Sequence, residues 1–208
     1  MPLPLPSLPL IPILRGLPSA DAEAVGQVLF AAGFTMLEVP LNRPGALECI
    51  ATLRRTLPAA IIGAGTVLSV EHVEAVALAG GQLIVSPDCN PDVIKASVAL
   101  GLWSLPGVAT PSEAFAALRA GAHGLKAFPS ESISPAAIKA WRAVLPADVP
   151  LLPVGGITPD RMATFVDAGA NGFGIGGALY APGLSLEVIE VHAHEFAAAW
   201  AACARRSG

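Results

Sequence analysis

Charge is scarce in this chain. Asp, Glu, Lys and Arg together make up 13% of its 208 residues and balance to −4, which leaves no basic footprint for nucleic acid or an anionic membrane surface. Cysteine is scarcer still. Cys49, Cys89 and Cys203 are an odd, widely spaced set with no CxxC pair, so neither a disulfide framework nor a zinc site is indicated, and a reducing cytoplasm is the expected compartment. No apolar run reaches the ~18 residues of a membrane span. The start, Met1-Pro2-Leu3-Pro4-Leu5-Pro6-Ser7-Leu8-Pro9, has no basic n-region, and its prolines would break a signal-peptide helix. Residues 1–9 are expected to form an extended arm leading into the first strand.

What is abundant is apolar. Hydrophobic residues reach 53% in a 21.0 kDa chain, a balance that calls for many buried strands and a subunit interface. The length fits one domain over residues 1–208, near the low end for a (β/α)₈ barrel.

Punctuation along the chain supports that architecture. Leu10-Ile11-Pro12-Ile13-Leu14 reads as a strand ending on Arg15-Gly16. Ser19 is then expected to cap a helix running to about Ala32, stopped by Gly33. Thr35–Pro40 is a strand with an acid inside it, a helix follows from about Gly45 to Thr56, and Ala60–Thr66 is a third strand opening into a Gly-rich turn. Helix ends fall at glycine (Gly33, Gly80-Gly81, Gly101, Gly121, Gly169), the residue suited to the left-handed position after a helix. Four later helices open on a capping residue followed by proline: Asn90-Pro91, Thr110-Pro111, Ser134-Pro135 and Thr158-Pro159. Thr110 and Glu113 complete a capping box.

Between these marks lie short apolar strands at 82–86, 102–106, 124–128, 150–154 and 172–176. The last helix spans about Leu186 to Ala204. Eight strands that are continuous apolar runs, each followed by a helix, indicate a parallel sheet covered on its outer side. A doubly wound open sheet is the alternative, but near-equal units of roughly 20 to 25 residues predict a closed TIM (β/α)₈ barrel.

One residue violates the pattern. Lys126 sits inside the strand Gly124-Leu125-Lys126-Ala127-Phe128, where desolvation disfavours an ammonium group. Either the amine snorkels to solvent, or the strand ends at a cavity where a lysine of lowered pKa acts as a Schiff-base nucleophile toward a carbonyl. The active site of a TIM barrel lies at the C-terminal ends of its strands. Those ends carry, in order, Arg15, Glu38, Thr66, Pro87 with Asp88, Pro106, Lys126, Gly155-Gly156 and Gly176-Gly177. An arginine, a carboxylate, a hydroxyl and a lysine therefore converge on one mouth, which favours the second reading.

Each partner has a plain alternative. Glu38 is either a structural ion-pair partner of Arg15 or Lys126, or the general acid–base that carbinolamine chemistry and C–C cleavage require. Arg15 is a solvated strand-end charge or a fork for carboxylate or phosphate. Thr66 is a turn hydroxyl or a hydrogen-bond donor to a substrate carboxylate. The late glycine pairs suit backbone N–H binding of a phosphate at strands seven and eight. His72, His123, His192 and His194 are read as structural, no metal site follows from them, and nothing beside Cys89 suggests an activated thiolate.

The segments Pro12-Ile13-Leu14-Arg15-Gly16, Leu37-Glu38-Val39-Pro40-Leu41-Asn42, Ile62-Gly63-Ala64-Gly65-Thr66-Val67, Leu125-Lys126-Ala127-Phe128-Pro129 and Val154-Gly155-Gly156-Ile157-Thr158-Pro159 together resemble the class I KDPG and KHG aldolases, over about residues 10 to 183. The resemblance implies a homotrimeric barrel that cleaves a phosphorylated 2-keto-3-deoxy sugar acid to pyruvate and D-glyceraldehyde 3-phosphate without metal or other cofactor. It implies Lys126 as the imine-forming residue, Glu38 as proton donor and acceptor, Thr66 at the carboxylate end, and Gly156, Gly176 and Gly177 at the phosphate end. Gluconate-type members of the family typically carry an arginine where this chain has Asn42. Arg15 with Pro40-Leu41-Asn42 looks more like the 6-phosphogalactonate branch, in which Arg15 would bind substrate. Gly177 stands where relatives often place a phosphate-binding serine, and Arg43 is a second candidate for the charge that Asn42 lacks.

Three rivals remain at this point. They are the C4 epimer or hydroxy-keto-glutarate as substrate, a non-catalytic phosphate-binding barrel whose lysine only pairs with anions, and a metal-dependent class II aldolase.

Overall fold

A computed structural model describes residues 3 and 5–206. Its strands are β1 (Leu10–Pro12), β2 (Met36–Pro40), β3 (Ile61–Gly65), β4 (Leu83–Val85), β5 (Trp103–Leu105), β6 (Gly107–Val108), β7 (Leu125–Ala127), β8 (Leu151–Pro153) and β9 (Phe173–Ile175). The helices are α1 (Ala22–Ala31), α2 (Ala46–Thr56), α3 (Val70–Leu78), α4 (Pro91–Ala99), α5 (Pro111–Arg119), α6 (Pro135–Arg142), α7 (Pro159–Asp167) and α8 (Leu186–Arg206). All pairings are parallel: β2 to β3, β4 and β5 in turn, β6 to β7 and β8, and β1 to β9. Bridges between Ile13 and Glu38 and between Val154 and Gly174 join β1 to β2 and β8 to β9. The ring is thereby closed, as a TIM barrel requires.

Among the described residues nine strands appear where the punctuation predicts eight, because the expected strand at 102–106 is split. Pro106 has no N–H to give the ladder, so β5 stops at Leu105 and β6 resumes at Gly107. The break is one-sided. Pro106 O still accepts from Lys126 N at 2.9 Å, and Ser104 O accepts from His123 N at 3.0 Å, so β5 and β6 act as one barrel strand toward β7.

The caps hold with two differences. Asn90, Thr110 and Ser134 accept from backbone N–H groups of their own helices, but Thr158 makes no such bond. Glu113 reaches back to Ala109 N at 2.8 Å and takes the Thr110 hydroxyl at 2.9 Å. Ser19 does not cap α1: residues Ser19–Asp21 form a 3₁₀ turn, and the Ser19 hydroxyl donates to Glu48 of α2 at 2.8 Å.

Two apolar layers divide the core. Outward-facing strand residues such as Leu10, Leu37, Ile62, Leu125, Leu151 and Phe173 pack beneath the helices. Inside the barrel, Ile11, Met36, Leu83, Val85, Leu105 and Leu152 form a separate cluster that also takes in Leu3 and Leu5. The N-terminal arm therefore does more than lead into β1. Its Leu3 is buried, with its N–H on His123 O at 2.8 Å, and Ser7 O accepts from Trp200 of α8 at 3.0 Å. The arm plugs the N-terminal floor of the barrel, so any opening must be at the other end. Met1, Pro2 and Pro4 of the expected arm lie outside the described residues.

Candidate active site

The C-terminal end of the barrel holds a cavity of about 740 Å³. Its lining includes all seven residues picked out by sequence: Arg15, Glu38, Thr66, Lys126, Gly156, Gly176 and Gly177. Asp88, Pro106, Asn42 and Arg43 do not line it, and Asn42, Arg43 and Asp88 are exposed. Arg15 is therefore the arginine at the mouth.

Lys126 lies in β7 in register with Leu152 of β8. Paired residues on neighbouring strands share a face, and Leu152 belongs to the interior cluster, so Lys126 points into the barrel while Leu125 packs outward under the helices. The lysine is 6% exposed, with Nζ 4.6 Å from the centroid of the Phe128 ring. Desolvation pulls its pKa below the usual lysine range and Arg15 adds to that, while Glu38 pushes the other way. The snorkelling alternative is thus not what the chain does. Burial shifts the amine toward its neutral, nucleophilic form.

Glu38 is inward on β2 and 2% exposed. Burial pushes its carboxyl above the usual range, against the attraction of Lys126 and Arg15. Its Oε2 has no hydrogen-bond partner among the described residues. A carboxyl biased toward its protonated form, lining the same cavity as a lysine biased toward its neutral form, is a matched acid and base.

Thr66, at the end of β3, has φ +56° and is the only non-glycine with positive φ among the described residues. For a β-branched residue that conformation costs about 1–3 kcal/mol, and such strain collects where a side chain or N–H must be aimed. Thr66→Asn, which tolerates the left-handed region better, is expected to raise unfolding free energy by about 1 kcal/mol and raise KM for pyruvate about tenfold. Chemical denaturation and aldol kinetics read the two effects; no change in either would remove Thr66 from the site.

The distal end is made of backbone. Gly155 and Gly156 have φ +113° and +57°, a turn that side chains resist. Both carbonyls are tied back: the Ser130 hydroxyl donates to Gly155 O and the Arg161 guanidinium to Gly156 O. Opposite ends of those peptides, the N–H groups of Gly156 and Ile157, donate to no backbone carbonyl among the described residues, and neither do those of Gly177 and Ala178 in the turn after β9. All four residues line the cavity, and backbone N–H groups of such turns suit an anion.

Among the lining residues that sequence reasoning did not single out are Glu131, Tyr180 and Pro182. They come from loops beyond the strand ends, where periodicity gives no signal. None of the four histidines lines the cavity. His123 Nδ1 accepts from Ser104 N at 3.0 Å, and its ring meets Trp103 edge-on at 4.8 Å. His192 approaches Leu179 O and His194 approaches Glu190. Burial pushes the Cys89 thiol up, away from a thiolate. Among the described residues no group of three His, Cys, Asp or Glu is placed to hold a metal ion, and no helix is long and apolar enough to cross a membrane.

Comparison with known proteins agrees with this site. The "2-dehydro-3-deoxy-6-phosphogalactonate aldolase" of Escherichia coli (strain K12) is 45% identical over 194 residues, covering 93% of this chain and 95% of that protein. The "Probable 2-dehydro-3-deoxy-6-phosphogalactonate aldolase" of Rhizobium meliloti (strain 1021) is 46% identical over 186 residues, covering 89% and 88%. A solved structure described as native KDPGal superposes with a TM-score of 0.95 at 43% identity, over 99% of this chain and 100% of that one. The family described as KDPG and KHG aldolase matches residues 4–193, and a lysine and a carboxylate buried at the open end of a floored parallel barrel are what its chemistry needs: the chain belongs to the KDPG and KHG aldolase family.

Proposed function

We propose that the chain is a class I aldolase cleaving 2-dehydro-3-deoxy-6-phosphogalactonate to pyruvate and D-glyceraldehyde 3-phosphate through an imine on Lys126. The observation that carries the chemistry is the burial of Lys126 beside Glu38 at the mouth, with their pKa values displaced toward each other. Support for the sugar comes from the two relatives that bear that substrate in their names, and from Arg15 lining the cavity while Asn42 and Arg43 do not.

In this reading neutral Lys126 attacks C2 of the keto acid, and protonated Glu38 gives its proton to the departing hydroxyl, releasing water and leaving an iminium. The Glu38 carboxylate then takes the C4 hydroxyl proton. The C3–C4 bond breaks, its electrons move into the iminium, and the aldehyde leaves. Glu38, protonated again, returns a proton to C3 of the enamine, and water hydrolyses the imine to free pyruvate and Lys126. Thr66 and Arg15 hold the carboxylate half. The N–H groups of Gly156, Gly176 and Gly177 hold the phosphate.

In the same proposal the enzyme works in the cytoplasm as a homotrimer and uses no metal. A designed protein cage built from symmetric oligomeric domains contains a chain of the same fold, with a TM-score of 0.95. Borohydride trapping of pyruvate on Lys126, read by intact mass and peptide mapping, tests the imine, and EDTA tests the metal-dependent alternative. No adduct on folded protein would return the chain to a phosphate-binding barrel. Comparing kcat/KM for the two C4 epimers tests the sugar: a preference for the gluconate form would overturn the galactonate assignment.

A further inference from the structure

The distal end of the cavity contains a feature that does not fit a simple phosphate seat. Glu131, in the loop after β7, lines the cavity, and its side chain lies across the two glycines proposed to bind the phosphate. A Cβ built on Gly155 would clash with Glu131 Oε2, and one on Gly156 would meet Glu131 Cγ at 3.2 Å and Arg161 Nη1 at 2.9 Å. The glycines are thus filled by the glutamate's stem and head. The compensating cation is partly committed elsewhere: Arg161 donates to Gly156 O, with its guanidinium 5.8 Å from the Phe165 ring centroid. On the opposite wall, Cβ atoms on Gly176 and Gly177 would meet nothing within 4 Å among the described residues, so neither position crowds a ligand there. Glu131 therefore brings a carboxylate into the lining where the glycine turns stand, while Arg161 does not line the cavity.

We propose that Glu131 sets the selectivity of the distal end, opposing a doubly charged phosphate there so that the enzyme also accepts keto acids ending in an uncharged hydroxyl. The inference rests on the aldolase reading and on the substrate's far end lying at the glycine pairs. Its physics is Coulombic. A carboxylate about 5 Å from a phosphate dianion in near-aqueous surroundings weakens binding by about tenfold, and salt screens the effect because Glu131 is exposed. An uncharged terminal hydroxyl feels no such repulsion.

The test runs the reaction in the synthetic direction, with pyruvate and either D-glyceraldehyde 3-phosphate or D-glyceraldehyde. For Glu131→Gln, which keeps shape and removes charge, the ratio of kcat/KM for the phosphorylated over the unphosphorylated aldehyde is expected to rise about tenfold at low ionic strength. The gain should lie in KM for the phosphorylated aldehyde and shrink in 0.5 M salt. Glu131→Asp, which keeps the charge, should stay near the parent ratio, and Glu131→Ala should follow Glu131→Gln. A ratio that moves less than twofold in both uncharged variants, or that falls, overturns the proposal. Borohydride trapping of pyruvate in each variant shows that the imine end is intact. Failure of that trapping in the parent protein would sink the aldolase reading instead, so the two outcomes are distinguishable.

Discussion

Lys126→Arg is expected to give a folded protein that forms no borohydride-trappable adduct with pyruvate and loses turnover by on the order of 10⁴-fold or more. A guanidinium keeps the positive charge and much of the length but stays protonated, so it offers no lone pair to C2. Two readings of the site separate here. If the lysine only paired with anions, arginine would serve as well or better, and ligand affinity would survive. If it is the imine nucleophile, trapping disappears completely. Residual trapping that maps to another lysine would move the nucleophile, and unchanged turnover would end the Schiff-base assignment. Unfolding measured beside the parent keeps the result interpretable, because a charge buried among Leu152 and Phe128 depends on Glu38 to offset its cost.

The second large effect belongs to Glu38 and to the glycine that makes room for it. Glu38→Gln should lower kcat by about 10²- to 10³-fold, the usual worth of a positioned acid–base group, while pyruvate still becomes trappable on Lys126. The pH dependence of trapping should also move, and its sign follows from the causes. Glu38 is what raises the lysine's pKa against the pull of burial and Arg15. Removing that carboxylate lowers the pKa further, so the rising limb of imine formation shifts to lower pH. A shift to higher pH would contradict the assigned coupling.

Gly65 is the less obvious half of the same prediction. A Cβ on it would fall inside the Glu38 carboxylate, onto Oε2, in a strand where Gly65 is paired with Pro40 of β2. Gly65→Ala should therefore displace the carboxylate and cost kcat by about 10²-fold without abolishing trapping. Combined with Glu38→Asp, whose shorter stem leaves space, Gly65→Ala should cost less than the two single losses multiplied together, as expected for residues in contact. Strictly multiplicative losses would mean that Gly65 acts through something other than Glu38.

The barrel was legible because its local rules are strong. Gly33, Gly80, Gly101, Gly121 and Gly169 have the positive φ expected at helix ends, and the four Pro-led helices start at Pro91, Pro111, Pro135 and Pro159. Local rules also failed where a long-range contact outbid them. Ser19 gives its hydroxyl to Glu48 on another helix instead of capping its own, and the strand through Pro106 breaks on one side only because β7 keeps bonding to it. Leu3 and Leu5 belong to the same class: nothing in a proline-rich arm says that it will fold back to floor the barrel.

By itself the sequence determined the alternation of elements and, through the one lysine and one glutamate placed in otherwise apolar strands, which residues had to be explained. Strand ends can be counted along a chain, and in a parallel barrel that count is already a list of what shares the mouth. Only the tertiary structure decided how those residues behave. Lys126 is desolvated because Leu152 is its neighbour in register and Phe128 lies beside its amine, Glu38 keeps its oxygen unpartnered in the space that Gly65 leaves, and Glu131 lies over the distal glycines. Each depends on the pairing of strands or the path of a loop, and burial, distance and field strength are properties of that pairing which no single segment carries.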